Sequence, residues 1–460
     1  MSDSYQPPAD GFRTFLIVWI TQSISVIGSA LTFFSLTIWL TQVLYPNPDQ
    51  KPLLAGALAA TGVVWALANV FLAPVAGAWA DRHDRKRTMM AMDFISGCLS
   101  VLLVALIVAH LLQLWILLII LALSATVSAF HYSAFDTSYA MIVPPDKLPR
   151  ANGMMQTIYS LSGILSPAIA ATLIAVPALA RQGAIGGGLG AFLGRLSDGT
   201  PLAITIDAIT FFLASATLLF LFIPSPKRTD LKPDASGKTR SLWADILEGA
   251  RYIWQRRPLL WLLGTFAIAN LVSSFFVLQP LLVKYNLAAD WGARGFTYET
   301  ALALLSSISG IGGVAGGVFI SLWGGLRKRR VYGVVLPLLL SGLGMAVFGF
   351  SPWLFLTAGA AAVAEGMSPI LNAHSQAIWQ TQTPRELQGR VFSVRRLIAQ
   401  CTAPLGTVLA GVFGGLLNPG MVLGVLGLVL AVFCLAQMFN PYLLRVEDKA
   451  YLDGLAEARD

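Results

Sequence analysis

Runs of about 20 or more mostly apolar residues alternate along the chain with short polar or Pro/Gly-containing breaks. They fall at roughly 14–41, 53–80, 88–110, 114–134, 151–176 and 201–223, then at roughly 259–284, 299–325, 331–350, 353–374, 391–416 and 420–440. At 1.5 Å rise per residue, a helix of about 20 residues crosses the ~30 Å hydrocarbon core of a bilayer. The pattern therefore predicts an all-α polytopic membrane protein with twelve transmembrane helices. The first run is too long, and too weakly preceded by positive charge, for a cleaved leader, so it is expected to remain as a mature helix.

The only long polar stretch, Pro224 to Pro258, separates six runs from six. The expected organisation is an N-terminal six-helix bundle over 1–223, a linker over 224–258, a C-terminal six-helix bundle over 259–440 and a cytoplasmic tail over 441–460. The second part of the linker, Trp243 to Trp254, has helical periodicity with aromatics on one face and is expected to lie along the inner membrane surface.

Composition sharpens this picture. Apolar residues make up 56% of the 460 and charged residues 12%, against about 25% charged in a soluble domain. With a mean hydropathy of +0.70, the chain lacks the polar surface a water-soluble globule needs. The three cysteines, Cys98, Cys401 and Cys434, sit inside apolar runs, and their odd number argues against a disulfide framework.

The net charge of +8 is explained by where the basic residues fall. With both termini on one side, 26 of the 31 Lys and Arg residues lie on that side, leaving Lys51, Arg181, Arg195, Lys284 and Arg294 on the other. The positive-inside rule then predicts cytoplasmic termini, and a run such as Arg327-Lys328-Arg329-Arg330 reads first as an orientation signal. No nucleic-acid partner is needed to account for it.

Two loop types recur in the two halves. Pro144-Pro-Asp-Lys-Leu-Pro-Arg150 precedes a helix containing Pro167, and Thr383-Pro-Arg-Glu-Leu-Gln-Gly-Arg390 precedes one containing Pro404. Asp84-Arg-Lys-Arg87 has a counterpart in Leu326-Arg-Lys-Arg329. Such duplication predicts two pseudo-symmetric bundles that rock about a midplane site.

Between the second and third runs stands Gly77-Ala-Trp-Ala-Asp81-Arg82-His-Asp84-Arg85-Lys86-Arg87. It resembles the loop signature of the major facilitator superfamily, with Asp84 where that signature usually has Gly. Gly77 is expected to permit close packing, and Asp81 to sit against a neighbouring helix N-terminus where the macrodipole favours an anion. Asp81-Arg82-x-Asp84-Arg85 followed by Asp93, Gln22…Gly28, Arg150-Ala-Asn-Gly-Met and Gly389-Arg-Val-Phe-Ser393 resemble the drug-export branch that includes macrolide, siderophore and lysophospholipid transporters. The resemblance implies a conformational-switch set of Gly77, Asp81, Arg82, Arg85, Lys86, Arg150, Pro167, Arg390 and Pro404. It also implies a monomer in a bacterial plasma membrane. At the positions of the antiporter signature in span five, Gly153, Ser162, Ser166-Pro167 and Ala170-Ala171 replace most glycines by other small residues. They fit a conformational role and an ordinary helix interface equally. The Arg that proton-coupled relatives carry in span four has no match in Leu121–Ala134.

A charge near the bilayer centre costs several kcal/mol unless it lines water or finds a partner. Glu365, flanked by Ala364 and Gly366 in the tenth run, is the first candidate for a proton or cation site, against a structural partnership with an Asn or Ser. Asp207 and Asp93 are secondary candidates that also read as structural, Asp93 by pairing with inner-loop arginines. His131, Asp136 and His374 read as interfacial contacts. No His/Cys/Asp cluster has metal-ligand spacing, so neither a metal nor a cofactor is expected. Substrate-lining candidates are Gln22, Phe33, Phe34, Trp65, Asn270, Phe275, Gln279, Glu365 and Asn372, a mixture of aromatics and amides suited to an amphiphilic organic compound.

The functional expectation is a secondary exporter of such compounds, exchanging them for protons by alternating access. A lipid or lysophospholipid transporter of the same fold, in which membrane lipid is the substrate, is the alternative. An enzyme is not expected, because neither the Gly-x-Ser-x-Gly nucleophile pattern nor the phosphate-cradling Gly-x-x-x-x-Gly-Lys-Ser/Thr occurs.

Overall fold

The computed structural model describes Pro8 and residues 10–223, 242–384 and 387–457, apart from the side chains of residues 69, 81, 140, 149, 242–246, 399, 400 and 456. Among the described residues, twelve helical segments are long and apolar enough to cross a membrane, and no strand forms. The first half contains α1 (Gly11–Trp39, prolonged by a wide turn at Leu40–Leu44), α2 (Lys51–Arg82), α3 (Arg85–Val108) and α4 (Leu114–Ile142). After these come α5 (Leu148–Arg181), the short α6 (Gly187–Leu193) and α7 (Thr200–Leu219). Next is α8 (Leu242–Gln255), and a seventh span made of α9 (Arg257–Ser273), a 3-10 turn, α10 (Gln279–Leu281) and a wide turn at Leu282–Asn286. Then follow α11 (Ala288–Ala293), α12 (Tyr298–Trp323), α13 (Tyr332–Phe350), α14 (Leu354–Gln382), α15 (Gln388–Leu416), α16 (Pro419–Gln437), α17 (Pro441–Leu444) and α18 (Lys449–Glu457).

The duplication is visible in the helix ends. α4 and α14 are each 29 residues long and begin 240 residues apart, at Leu114 and Leu354. Each ends at a residue before proline: Val143 and Thr383 take extended backbone, with φ/ψ of −82/129° and −103/125°. The ring of Pro144 or Pro384 clashes with a helical conformation at the residue before it, so the helix must stop there. α5 and α15 then open at Leu148 and Gln388, again 240 residues apart.

Contacts divide the chain into two units, one of Met1–Pro48 and Val63–Lys232, the other of Asp49–Gly62 and Pro233–Asp460. The first half of α2 thus packs with the second unit. An added Cβ on Gly411 would come within 2.6 Å of the Ala59 side chain, and one on Gly415 within 3.1 Å of Pro52. The Lys51 ammonium donates to the Leu417 carbonyl at 2.9 Å.

In the first unit α3 packs on α4 and α7, and α1 on α5 and α7. In the second, α13 packs on α14 and α16, and α12 on α14. Lipid is as apolar as a leucine side chain, so helices there associate through close packing and polar contacts. Gly316 touches the backbone of Gly366, which leaves no room for a side chain at that crossing of α12 and α14.

The expected linker falls partly on residues 224–241, outside the described residues. In its remainder, α8, the two aromatics whose side chains are described lie on different faces. Tyr252 is buried and its hydroxyl donates to the Gln382 carbonyl at 2.7 Å, while Trp254 is exposed. Burial pushes the Tyr252 phenol above its ordinary range. Gly249 lies against the backbone of Arg390, and Arg390 pairs with Glu248 at 2.7 Å. These contacts fasten α8 to the start of α15. The tail is docked rather than loose, because Leu443, Val446 and Leu452 are buried and Asp453 pairs with Arg256 at 3.3 Å.

Candidate functional site

In the second unit, α14 carries two accessible faces of opposite character. Leu356 and Val363 are exposed on one. Glu365, Asn372 and Gln376, spaced by seven and four residues, share the other, since i, i+7 and i+11 fall on one side of a 3.6-residue helix. Glu365 is accessible and, unlike its neighbours, has no hydrogen-bond or ionic partner among the described residues. Asn372 donates to the Ser368 carbonyl and hydroxyl at 2.9 and 3.3 Å. Arg395 of α15 donates to Gln376 at 2.7 Å and to Ser375 at 3.3 Å. The start of α14 is held by Asp290, which accepts from the Leu354 N–H at 2.9 Å and pairs with Arg294 at 2.9 Å. Those two interactions, Arg294 foremost, hold the Asp290 carboxyl below the usual carboxylate range.

The first unit holds a second cluster. Asp93 of α3 is 1% exposed and His131 of α4 is 9% exposed. His131 Nε2 lies 3.1 Å from Asp93 Oδ1, and Gln22 of α1 donates to Asp93 Oδ2 at 2.9 Å. The expected pairing of Asp93 with inner-loop arginines is therefore replaced by one with His131. Arg85 is taken up elsewhere, donating to the carbonyls of Ala80 at 3.2 Å and Thr137 at 2.9 Å. Asp207 of α7, 2% exposed, accepts from Thr32 at 2.8 Å, Ser100 at 3.1 Å and Ser29 at 3.3 Å. That ring of hydroxyls ties α7 to α1 and α3.

The other candidates are more dispersed. Phe275 is inside the bundle, stacked on Phe413 at 6.5 Å, so it is a core residue rather than a lining one. Phe34 is also buried, whereas Phe33 and Trp65 are exposed. Gln279 donates to Ser306 at 2.8 Å, and Asn270 is half-buried. Arg150 is exposed and lies over the Phe12 ring at 5.5 Å. Pro167 and Pro404 stand inside α5 and α15. Next to Pro167, Ser166 donates to the Ile27 carbonyl at 3.1 Å.

The loop signature is partly explained. An added Cβ on Gly77 would meet only Ser133, at 3.9 Å, so close packing is not what this glycine provides. Asp84 caps α3 by accepting from the Arg87 N–H at 2.8 Å, which gives the replacement of the usual Gly a local reason. Lys86 reaches the Leu219 carbonyl at 3.1 Å, and Arg82 is exposed. The side chain of Asp81 lies outside the described residues.

In the second half the equivalent loop is held by a different side chain. His374 Nε2 accepts from the Leu326 N–H at 2.8 Å while Nδ1 faces the Ile370 carbonyl at 2.7 Å. The ring fills the space that side chains on Gly325 and Gly333 would need. Losing one such hydrogen bond costs about 1–1.5 kcal/mol, or roughly tenfold in a local opening equilibrium. His374→Ala is therefore expected to raise the rate of limited trypsin cleavage at Arg327–Arg330 in the purified protein about tenfold. An unchanged rate would show that the latch does not restrain this loop.

The Major Facilitator Superfamily model matches residues 18–400. Macrolide efflux protein A of Streptococcus pyogenes is 25% identical over 427 residues, covering 91% of this chain and 95% of that protein. Multidrug efflux pump Tap of Mycolicibacterium fortuitum is 26% identical over 351 residues, covering 73% and 75%. Among solved structures, an inward-facing, unoccupied bacterial homolog of the human lysosomal transporter Spinster superposes with a TM-score of 0.63 at 16% identity, covering 98% of this chain and 96% of that one. The nucleoside transporter NupG superposes with a TM-score of 0.61 at 12% identity, covering 92% and 98%.

Proposed function

The chain belongs to the Major Facilitator Superfamily, and on that premise we propose that it is a drug exporter that moves amphiphilic organic compounds, macrolides among them, out of a bacterial cell in exchange for protons. Both termini are cytoplasmic in this reading, the chain works as a monomer by alternating access, and Glu365 is the carboxylate that trades its proton for substrate.

The observation that carries the reading is the position of Glu365. An acid in the middle of an apolar span costs about 2.5–3.5 kcal/mol on insertion scales. This one has no hydrogen-bond or ionic partner among the described residues, and it shares its face of α14 with Asn372 and Gln376. A structural acid would be partnered, as Asp207 is. A carboxylate left accessible on a polar stripe suits a group that must take up and release a proton. The substrate class follows the similarity to the macrolide and multidrug efflux proteins, and the aromatic and amide residues suit it. Phe33, Trp65, Asn270, Gln279 and Asn372 remain the lining set that the reading uses.

The test is accumulation of radiolabelled erythromycin, and separately of ethidium, in everted membrane vesicles with an acidified lumen. The expected result is uptake above that of vesicles lacking the protein, collapsing when an ionophore dissipates the pH gradient. No excess uptake of either probe would overturn the drug-export reading. Uptake insensitive to the ionophore would overturn proton coupling alone.

A further inference from the structure

We propose that the Asp93–His131 pair is a second proton-binding site, built into the first unit and separate from Glu365. It goes beyond the export reading and does not depend on it.

Asp93 and His131 are both buried, and the groups around them can be named from each helix that packs there. α1 contributes Gln22, which is neutral, and α3 contributes Asp93 itself. α4 contributes His131, Tyr132 and, one turn beyond, the exposed Asp136, while α5 contributes Tyr159, hydrogen-bonded to Tyr132. α7 presents Phe211 at the cavity and Asp207 farther off, already engaged by three hydroxyls. Among the described residues, no Lys or Arg lines the site. His131 is thus, among the described residues, the one group beside Asp93 able to carry a compensating positive charge. With both ring nitrogens of His131 protonated the pair is neutral overall, and with one proton fewer an uncompensated carboxylate is left in an apolar bundle. An unpaired buried charge is expensive, so the pair gains and loses its proton as a unit. Histidine is the side chain whose ordinary range makes that exchange possible near neutral pH.

The second observation is access. The pair borders a cavity of about 40 Å³, room for two or three waters at ~15 Å³ of probe volume each. Its walls include Trp19 Nε1, Ser23 Oγ and Ser25 Oγ, buried polar atoms without a hydrogen-bond partner among the described residues. Buried polar groups are almost always satisfied by protein or by ordered water. A hydrated pocket against a buried ion pair is what proton exchange requires. A purely structural pair needs neither the space nor the unpaired donors.

The proton balance is simple. In the neutral ring the Nε2 proton faces Asp93 Oδ1, 3.1 Å away, so a proton relayed through cavity water adds to the Nδ1 lone pair and makes the ring cationic beside the carboxylate. Release returns the proton to water and leaves neutral imidazole beside carboxylate. Gln22 stays on Oδ2 in both states.

The test needs no substrate. The chain has four histidines, so ¹⁵N-histidine spectra of the full-length protein in lipid nanodiscs are assignable by single replacements. We expect the His131 nitrogens to move between imidazolium and neutral positions over pH 5–9. That step moves by one pH unit or more, or is lost, in Asp93→Asn. In a pH-stat titration over the same range, the His131→Gln/Asp93→Asn double variant takes up one proton fewer than the wild type, with thermal melting checking that it is folded. A His131 that keeps a single neutral tautomer throughout, or that titrates identically in wild type and in Asp93→Asn, overturns the proposal. Failure of erythromycin and ethidium uptake would leave these outcomes untouched, so the two readings fail separately.

Discussion

Glu365→Gln is expected to abolish export driven by a pH gradient while leaving exchange of substrate down its own gradient intact. One proton per substrate across a difference of two pH units is worth about 2.7 kcal/mol, which sustains a concentration ratio of up to about 100. A glutamine has the same size and polarity but no exchangeable proton, so in everted vesicles that ratio falls to about 1. The variant should fold, because Glu365 has no partner to lose among the described residues and its face of α14 already carries Asn372 and Gln376. Glu365→Asp keeps a carboxyl group but withdraws it by about one bond length, and is expected to transport slowly and remain coupled. Full gradient-driven accumulation by Glu365→Gln would remove Glu365 from the coupling machinery. Loss of exchange together with accumulation would make it a substrate contact instead.

The spans were legible because lipid demands long apolar helices and little else competes with that signal. Where the sequence misled, polar contacts decided the outcome. α4 and α14 each run eight residues beyond the apolar stretch, to Ile142 and Gln382. Outside the bilayer, hydropathy no longer marks a helix end and the following proline does. Asp93 is a charge at membrane depth, which sequence shows readily. Its partner is His131, 38 residues away on the next helix, set there by the packing of α3 on α4, which no spacing in the sequence reveals. Asp84 was readable as an N-cap from its place just before α3, a local signal that comparison with a loop signature concealed. The assignment of residues 49–62 to the second unit has no local signature, since small residues such as Gly56 and Ala59 serve a partner on either side.

Asp207 separates a structural acid from a coupling one, and its substitutions are expected to split accordingly. Hydrogen bonds to a charged group contribute about 1.5–3 kcal/mol each, and three hydroxyls from two helices converge on this carboxylate. Asp207→Val removes the shared acceptor. Each hydroxyl can fall back on the carbonyl one turn earlier in its own helix, as Thr37 does with Phe33 at 3.0 Å, but the ties of α7 to α1 and α3 are lost. A net cost of about 4–5 kcal/mol is then a large share of the ~5–15 kcal/mol that holds a typical domain folded. The variant should yield little folded protein by size-exclusion chromatography. Asp207→Asn keeps one acceptor oxygen and offers an amide donor that the hydroxyls can accept, so its melting temperature should fall by only a few degrees. Its gradient-driven export should stay near wild type, because in the proposed mechanism the proton traded for substrate is carried by Glu365. A folded Asp207→Asn that exchanges substrate but no longer responds to the pH gradient would move proton coupling onto α7 and leave Glu365 without that role.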